Sequence, residues 1–308
     1  MVSVKSEWTA IGAFIALATL PVVGLAGAAS IVGGLAAFPA AVPLAMLAPG
    51  LAAIIVQKAT GGRIFGADGL GLRVGRIPWW FGGLLGIGAL CLVSFLVTAL
   101  IDPAAIATPD ELSAAVLRLG GVPDLASPHA RAAAALAITA LVAPFLNLPL
   151  LLGEELGWRG FLTPRLVAIF GRPGTLVAGL IWALWHLPII LLGYNYGGQP
   201  WAGLLIWLPL CMALSVLFTA LKDRGGSIWP AALGHGALNQ LAQLLTATVL
   251  VEARFTPLID GAAGLAGLLV FGTAATIVYP RLATRARDGG PFSREVSIGR
   301  FGYPTSGV

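Results

Sequence analysis

Residues 151–165 read Leu-Leu-Gly-Glu-Glu-Leu-Gly-Trp-Arg-Gly-Phe-Leu-Thr-Pro-Arg and follow an almost uninterrupted apolar run at residues 132–152. Glu154, Glu155 and Arg159 therefore stand where a membrane helix would still be apolar. A charged side chain inside a bilayer costs roughly 3 kcal/mol on insertion scales, so such groups usually face a protein interior and find partners there. If the helix continues, Glu155 and Arg159 share a face and pair, whereas Glu154 is turned about 100° away and is left free.

The composition indicates a polytopic helical membrane protein. Of the 308 residues, 58% are hydrophobic and 10% are charged, and the mean hydropathy is +0.92, whereas a soluble domain usually has about a quarter of its residues charged. Windows of about 20 apolar residues, the length that crosses a bilayer, predict eight spans. They cover residues 9–29, 39–56, 79–101, 132–152, 175–192, 201–221, 228–250 and 256–279. We expect an all-α bundle of about eight transmembrane helices with a polar cavity inside the membrane.

The basic residues predict the orientation of the bundle. With the N-terminus inside, the cytoplasmic segments hold 14 lysines and arginines, and the outer segments hold three, Arg118, Arg131 and Arg254. Cytoplasmic loops carry such an excess, which predicts a multi-pass protein of the plasma (cell inner) membrane with both termini cytoplasmic. The net charge of +5 lies in short loops and the tail, as cytoplasmic-side charge does, so nucleic acid is not expected as a partner.

We expect one helical membrane domain, residues 1–280, followed by a polar, glycine-rich tail, residues 281–308, that is cytoplasmic and disordered. The first span is long for a signal peptide and has Glu7 in its flank, so an uncleaved span is favoured over a cleaved leader.

Two connecting segments have recognisable patterns. In the one sizeable outer loop, Thr108-Pro109-Asp110-Glu111 predicts a capped, amphipathic helix. The glycine-rich residues 61–75 lack the Gly-Lys-Ser/Thr ending of a phosphate-binding loop and are interpreted as a flexible cytoplasmic linker.

Two of the three histidines lie in apolar spans. His186 follows Trp182 by four residues and Asn239 follows His235 by four, so each pair shares a helix face. A buried histidine in a membrane helix often only bridges two helices by a hydrogen bond, and a glutamate–arginine pair is structural more often than catalytic. The concentration of polar groups at membrane depth on three spans nevertheless favours one shared site.

These residue types suit peptide-bond hydrolysis, which needs an activated water and donors aimed at the developing oxyanion. A carboxylate in a low-dielectric cavity is a stronger base than in water, so Glu154 with His186 can hold and deprotonate a water. His235 and the Asn239 amide are donors suited to the oxyanion. Arg159 would keep the second carboxylate ionised and fix the helix end.

Together the motifs are Glu-Glu-x-x-x-Arg, aromatic-x-x-x-His and His-x-x-x-Asn, in that order on three spans. This set resembles the CAAX-processing and bacteriocin-processing family of intramembrane endopeptidases, also called the ABI family, which includes the type II CAAX prenyl protease. The resemblance covers roughly residues 132–250, the expected protease core. It implies catalytic roles for Glu154, His186, His235 and Asn239, and supporting roles for Glu155, Arg159 and Trp182.

One position departs from the family pattern. The second motif usually begins with phenylalanine, and Trp182 holds that place here. We expect this difference to alter packing beside His186 rather than the chemistry.

Metal dependence is the open alternative. Glu154, His186 and His235 could ligate zinc and leave a water position open, and the family has often been labelled as metalloproteases. The sequence has no His-Glu-x-x-His motif, and if His235 and Asn239 serve the oxyanion, too few ligands remain. The two cysteines lie in apolar runs and support no thiolate site. A site without metal or cofactor is favoured over a zinc site.

Three functions compete. A peptidase would cut a membrane-associated peptide or protein near its anchored end, from the cytoplasmic side of the lipid bilayer. A non-enzymatic immunity or scaffold protein of the same fold would be expected to have lost a catalytic residue, and none is missing. A proton-coupled transporter should show an internal repeat, and none is found. The sequence favours the peptidase and leaves open whether its substrate is prenylated.

Overall fold

The computed structural model describes residues 4–66, 69–119 and 127–282, and within these ranges the secondary structure is helical apart from two isolated β-bridges. The helices are α1 Val4–Val32, α2 Ala41–Ala59, α3 Pro78–Ile101, α4 Pro109–Leu119, α5 Pro128–Leu146, α6 Leu148–Glu155, a π-helix Leu156–Leu162, α7 Thr163–Phe170, α8 Pro173–Trp185, α9 Leu187–Ile190, α10 Pro200–Gly225, α11 Trp229–Val249 and α12 Leu265–Val278. Short 3-10 turns lie at Pro103–Ala105 and Tyr279–Arg281.

Five helices of the described chain are long and apolar enough to cross a membrane. They are Ser6–Val32 within α1, all of α2 and α3, His129–Leu146 within α5, and α10. The chain is therefore an all-α, multi-pass membrane protein, as predicted. The span predicted at 228–250 is one helix, α11, whose central histidine, asparagine and glutamines make it less apolar than these five.

The span at 132–152 corresponds to α5 but ends earlier than predicted, and the spans at 175–192 and 256–279 are shorter as helices than predicted. The span at 132–152 is divided at Asn147, between α5 and α6, with Pro144 and Pro149 on either side, because proline lacks the N–H that a continuing helix needs. The span at 175–192 begins as α8, whose 13 residues cover only about 20 Å. The span at 256–279 becomes helical only at Leu265.

The helix that carries the two glutamates packs backbone to backbone against α2. A Cβ on Gly153 would lie 2.6 Å from the carbonyl oxygen of Met46, and a Cβ on Gly157 would lie 2.4 Å from Pro49 Cβ. Small residues four positions apart let membrane helices approach this closely. The Gly153-x-x-x-Gly157 spacing therefore holds Glu154 close to the middle of α2.

Helix α1 covers the opposite side of the π-helix through a chain of aromatic rings. Phe14 stacks on Phe161 at 4.9 Å between centroids and meets Trp158 edge-on at 5.6 Å. Trp158 contacts Trp185 at 5.7 Å, and Trp185 Nε1 donates to the carbonyl oxygen of Ala18 at 2.8 Å. Each aromatic pair contributes about 0.5–1.5 kcal/mol beyond its buried area, so α1 belongs to the packed core.

The interpretation of the glycine-rich segment as a flexible linker is contradicted over residues 69–75. Leu70 is buried, and a Cβ on Gly160 would lie 2.7 Å from its carbonyl oxygen. The amide of Ile228 donates to Gly71 O at 3.0 Å. Leu70 is the apolar residue that attaches this loop to the π-helix.

Arg165, which the orientation count treated as a loop charge, is buried. Its Nη2 donates to Gln57 Oε1 at 2.9 Å, and its Nε lies 3.5 Å from a Glu7 carboxylate oxygen. This arginine connects the glutamate-bearing segment to α1 and α2.

The capped helix expected in the outer loop is confirmed as α4. Glu111 Oε2 accepts from the Thr108 amide at 2.8 Å, and the Glu111 amide donates to Thr108 Oγ1 at 3.4 Å, which is the reciprocal capping box. Arg254 also donates to Glu111, and these bonds lower the pKa of Glu111 to about 2. The predicted tail lies, from residue 283 onward, outside the described residues.

Candidate active site

The four predicted catalytic side chains line one small cavity. Glu154 lies at the end of α6, His186 directly follows α8, and His235 and Asn239 lie one turn apart on α11. The first three are 2%, 6% and 3% exposed, and Asn239 is half-buried. The cavity measures about 40 Å³, which admits water but is far below the roughly 300–1,000 Å³ of ordinary ligand pockets. This conformation is therefore closed to a peptide.

Glu154 was expected to be free, and that expectation was wrong. Trp182 Nε1 donates to Glu154 Oε2 at 2.8 Å, and Trp158 Nε1 donates to the same oxygen at 3.2 Å. The two indoles therefore satisfy and orient this oxygen in otherwise apolar surroundings. No donor from the described chain bonds to Oε1 of this carboxylate, which leaves that oxygen for water.

The expectation that Trp182 would alter only packing was also wrong. Its ring does pack edge-on against His186 at 5.7 Å and against His235 at 5.4 Å, as a phenylalanine could. Its indole N–H, however, bonds to the Glu154 carboxylate. The tryptophan thus contributes a polar contact that the usual phenylalanine cannot make.

Glu155 links the predicted ion pair to the third motif. Arg159 Nη1 donates to Glu155 Oε1 at 3.0 Å, and His235 Nδ1 bonds to the same oxygen at 2.9 Å. The Arg159 guanidinium also lies 4.2 Å from the Trp182 ring and 4.9 Å from the Phe218 ring. Glu155 and Arg159 do not line the cavity; they lie behind His235 and fix its orientation.

The hydrogen bonds assign the tautomers of both histidines. His186 Nδ1 lies 2.8 Å from the Trp182 carbonyl oxygen, which can only accept, so Nδ1 carries the proton. His235 Nδ1 likewise donates to the Glu155 carboxylate. In each neutral ring the lone pair then lies on Nε2, which leaves His186 suited to accept from a water. His235 can donate from Nε2 only when its ring is protonated.

Four aromatic residues at the site were missed by the sequence reasoning. Trp158 donates to Glu154, and Trp185, Trp207 and Tyr194 line the cavity. Trp207 contacts the His186 ring at 5.0 Å, and its Nε1 is buried without a hydrogen-bond partner in the described chain. The four-residue spacing of Glu154 and Trp158 was a usable signal; nothing distinguishes Trp207 or Tyr194 from ordinary core aromatics.

The zinc alternative rests on Glu154, His186 and His235, which line the same cavity. Among the described residues, no three His, Cys, Asp or Glu side chains are grouped closely enough to hold a metal ion. One oxygen of Glu154 already accepts two indole N–H groups.

One comparison with known proteins gives a family match. Residues 129–241 match the family described as Type II CAAX prenyl endopeptidase Rce1-like. A comparison with curated proteins gives no match. The matched segment contains all seven residues of the three motifs, from Glu154 to Asn239. This match, over residues 129–241 of the chain, supports the predicted resemblance to the CAAX-processing family of membrane endopeptidases.

Proposed function

We propose that the protein is an intramembrane endopeptidase that cuts a peptide or protein substrate near its membrane-anchored end with a glutamate-activated water. The observation that carries this proposal is the convergence of Glu154, His186, His235 and Asn239 on one buried cavity large enough for water. The family match supports the reaction class.

In the proposed first step, a water lies between Glu154 Oε1 and His186 Nε2. Both atoms accept hydrogen bonds, so they orient both water protons and direct an oxygen lone pair towards the scissile carbonyl. Glu154 takes one proton as the water oxygen bonds to the carbonyl carbon. It returns that proton to the amine nitrogen as the carbon–nitrogen bond breaks, which yields a carboxylic acid and an amine. Transfer of the acid proton to the amine then gives a carboxylate and an ammonium.

The oxyanion needs donors. His235 Nδ1 already donates to Glu155, so a second hydrogen bond from this ring, at Nε2, requires an imidazolium. In the proposed transition state that imidazolium would lie between Glu155 and the oxyanion. His235 Nε2 and the Asn239 amide would donate to the oxyanion, and the unpartnered Trp207 Nε1 is a third donor.

The substrate must open the closed cavity before it can bind. Met46 of α2 and Leu238 of α11 are apolar lining residues, and their separation would admit an extended peptide. This requirement favours a substrate with little side-chain bulk at the cleaved bond.

The test uses protein purified in detergent and a panel of membrane-tethered peptides, with and without a prenylated end. We expect Glu154→Gln to abolish cleavage of any peptide that the wild type cuts. Glu111→Gln, which removes an exposed carboxylate outside the cavity, should leave the rate unchanged. Cleavage that survives Glu154→Gln would overturn the assignment, and binding of a peptide without cleavage would favour a scaffold role.

A second arm addresses metal dependence. We propose a metal-free site, so incubation with a chelator should not change the rate. Activity lost with chelator and restored by zinc would contradict this proposal.

The orientation is also a proposal. We place the protein in the plasma membrane with both termini cytoplasmic, because the basic residues concentrate in the segments assigned to that side. Single cysteines at residue 63 and at residue 118, in a variant without Cys91 and Cys211, should be labelled by a membrane-impermeant reagent from opposite sides. We likewise propose one domain over residues 1–280.

A further inference from the structure

A second and larger cavity lies between the loop that precedes α3, the end of α10 and the end of the described chain. Its volume is about 470 Å³, within the range of about 300–1,000 Å³ that is typical of ligand sites. It shares no lining residue with the candidate active site. Both cavities touch α10, the small one at Leu214 and the large one from Thr219 onward, about 7 Å farther along the helix axis.

The lining of this cavity is strongly basic. Its cationic residues are Arg73, Arg76, Lys222, Arg224 and Arg281, and among the described lining residues the carboxylate is Asp223. Lys222 and Arg224 occupy the last turn of α10, where the helix dipole alone favours positive charge. The dipole does not explain the three arginines, which come from two other segments. Five cations around one wet space repel each other, and an anion that enters would relieve that repulsion.

The loop that supplies two of these arginines is held in place. The Arg76 amide donates to Gly225 O at 2.8 Å, and Arg73 Nε donates to Gly226 O. Gly75 adopts φ +65°, and a Cβ there would lie 2.4 Å from Gly225 O. The cations are therefore arranged before any ligand binds, which lowers the entropy cost of binding.

Two buried hydroxyl groups in the lining have no partner in the described chain. Thr219 is 6% exposed and Ser227 is 2% exposed, and neither Thr219 Oγ1 nor Ser227 Oγ makes a hydrogen bond. Buried polar groups are almost always hydrogen-bonded. A ligand with several acceptor atoms would accept a hydrogen bond from each of these two hydroxyl groups. A phosphate offers up to four oxygens and up to two charges, and arginine binds it with paired N–H groups.

We propose that this cavity is a binding site for a phosphate group, carried by a lipid headgroup or a small solute and separate from the peptidase centre. The five basic side chains and the two hydroxyl groups of the lining offer many hydrogen-bond donors. They therefore favour a tetrahedral anion over a carboxylate, which has only two oxygens to accept hydrogen bonds. The proposal does not rest on the peptidase function.

The first experiment titrates inorganic phosphate into the full-length protein in neutral, phosphate-free detergent and measures binding by calorimetry. Arg76→Gln should weaken binding about tenfold, and Thr219→Val and Ser227→Ala about fivefold each, because each removes one donor. Lys58→Gln removes an exposed cation at the end of α2 and should change binding less than about twofold. Glu154→Gln should bind phosphate like the wild type. Thr219→Val and Ser227→Ala change the side-chain volume very little. They therefore still test the proposal if Arg76→Gln misfolds.

The second experiment distinguishes the two sources of phosphate. Nanodiscs of phosphatidylcholine with or without phosphatidic acid are compared by native mass spectrometry after mild detergent release. Retained phosphatidic acid that Ser227→Ala loses would assign a lipid headgroup, and binding of inorganic phosphate alone would assign a solute. The proposal is overturned if neither probe binds, if acetate binds as tightly as phosphate, or if Lys58→Gln weakens binding as much as the lining variants.

Discussion

Because Glu155 contacts both Arg159 and His235, we predict that Glu155→Gln destabilises the protein by an amount that can be worked out from the structure. Glu155 is fully buried, Arg159 is 1% exposed, and their charged atoms lie 3.0 Å apart. Glutamine keeps an acceptor for the histidine but removes the negative charge, which leaves a guanidinium buried without its counterion. Breaking a buried ion pair on one side typically costs about 3–5 kcal/mol. The cation–π contacts of Arg159 exist in both proteins and do not offset this loss.

A double replacement separates the structural and the positioning roles of Glu155. Glu155→Leu with Arg159→Met removes both charges, and apolar replacement of a whole buried pair is often neutral or stabilising. We expect stability within about 1 kcal/mol of the wild type. His235 would then lose the acceptor that orients its ring, so kcat should fall about 10²-fold, as for loss of one oxyanion donor.

Stability would be measured by equilibrium unfolding in mixed SDS micelles, and activity on the peptide that the wild type cuts best. Glu252→Gln is the control, since it removes an exposed carboxylate and should change neither quantity appreciably. A Glu155→Gln variant as stable as the wild type would refute the counterion role. A double variant with full activity would show that His235 does not depend on Glu155.

Three further predictions address other parts of the molecule. Trp207→Phe keeps an aromatic ring but removes the unpartnered indole N–H, so we expect kcat to fall about 10²-fold. An unchanged rate would exclude this donor. Gly157→Ala places a Cβ 2.4 Å from a proline carbon of α2, so overpacking should lower the free energy of unfolding by about 1–3 kcal/mol. The control Gly86→Ala meets nothing within 4 Å and should leave the stability unchanged. Hydrogen bonds from Arg254 lower the pKa of Glu111 from 4.5 to about 2. The stabilisation that these bonds give is therefore present above pH 4.5 and is lost as the pH falls through 2. Between these pH values, the melting temperature should fall less for Arg254→Gln than for the wild type.

The motif residues were predictable from the sequence because each motif places polar groups one helical turn apart in an otherwise apolar span. The Glu155–Arg159 pair follows directly from that spacing, and the structure confirms it at 3.0 Å. The catalytic roles of the four cavity residues stay predictions, as does the single domain, since neither the geometry nor the family match tests them.

The span boundaries were less predictable because hydropathy windows do not register local backbone interruptions. Asn147 stands between two prolines and ends α5 inside a run that is apolar almost throughout. Leu70 and Arg165 were misplaced for a related reason. In the sequence, a leucine in a loop and a basic residue just after a span look like ordinary loop residues. Only the contact of Leu70 with Gly160 and that of Arg165 with Gln57 make them part of the core.

Tertiary contacts separate two histidines that the motif pattern treats alike. From the sequence, spacing does not decide whether His186 or His235 contacts the second carboxylate. In the structure, His186 Nδ1 donates to a neutral carbonyl, whereas His235 Nδ1 donates to the Glu155 carboxylate, which also pairs with Arg159. His186 therefore keeps an Nε2 lone pair for a water, and His235 is the ring that the buried ion pair holds in place. This difference is the reason for proposing that His186 binds the water and that His235 serves the oxyanion.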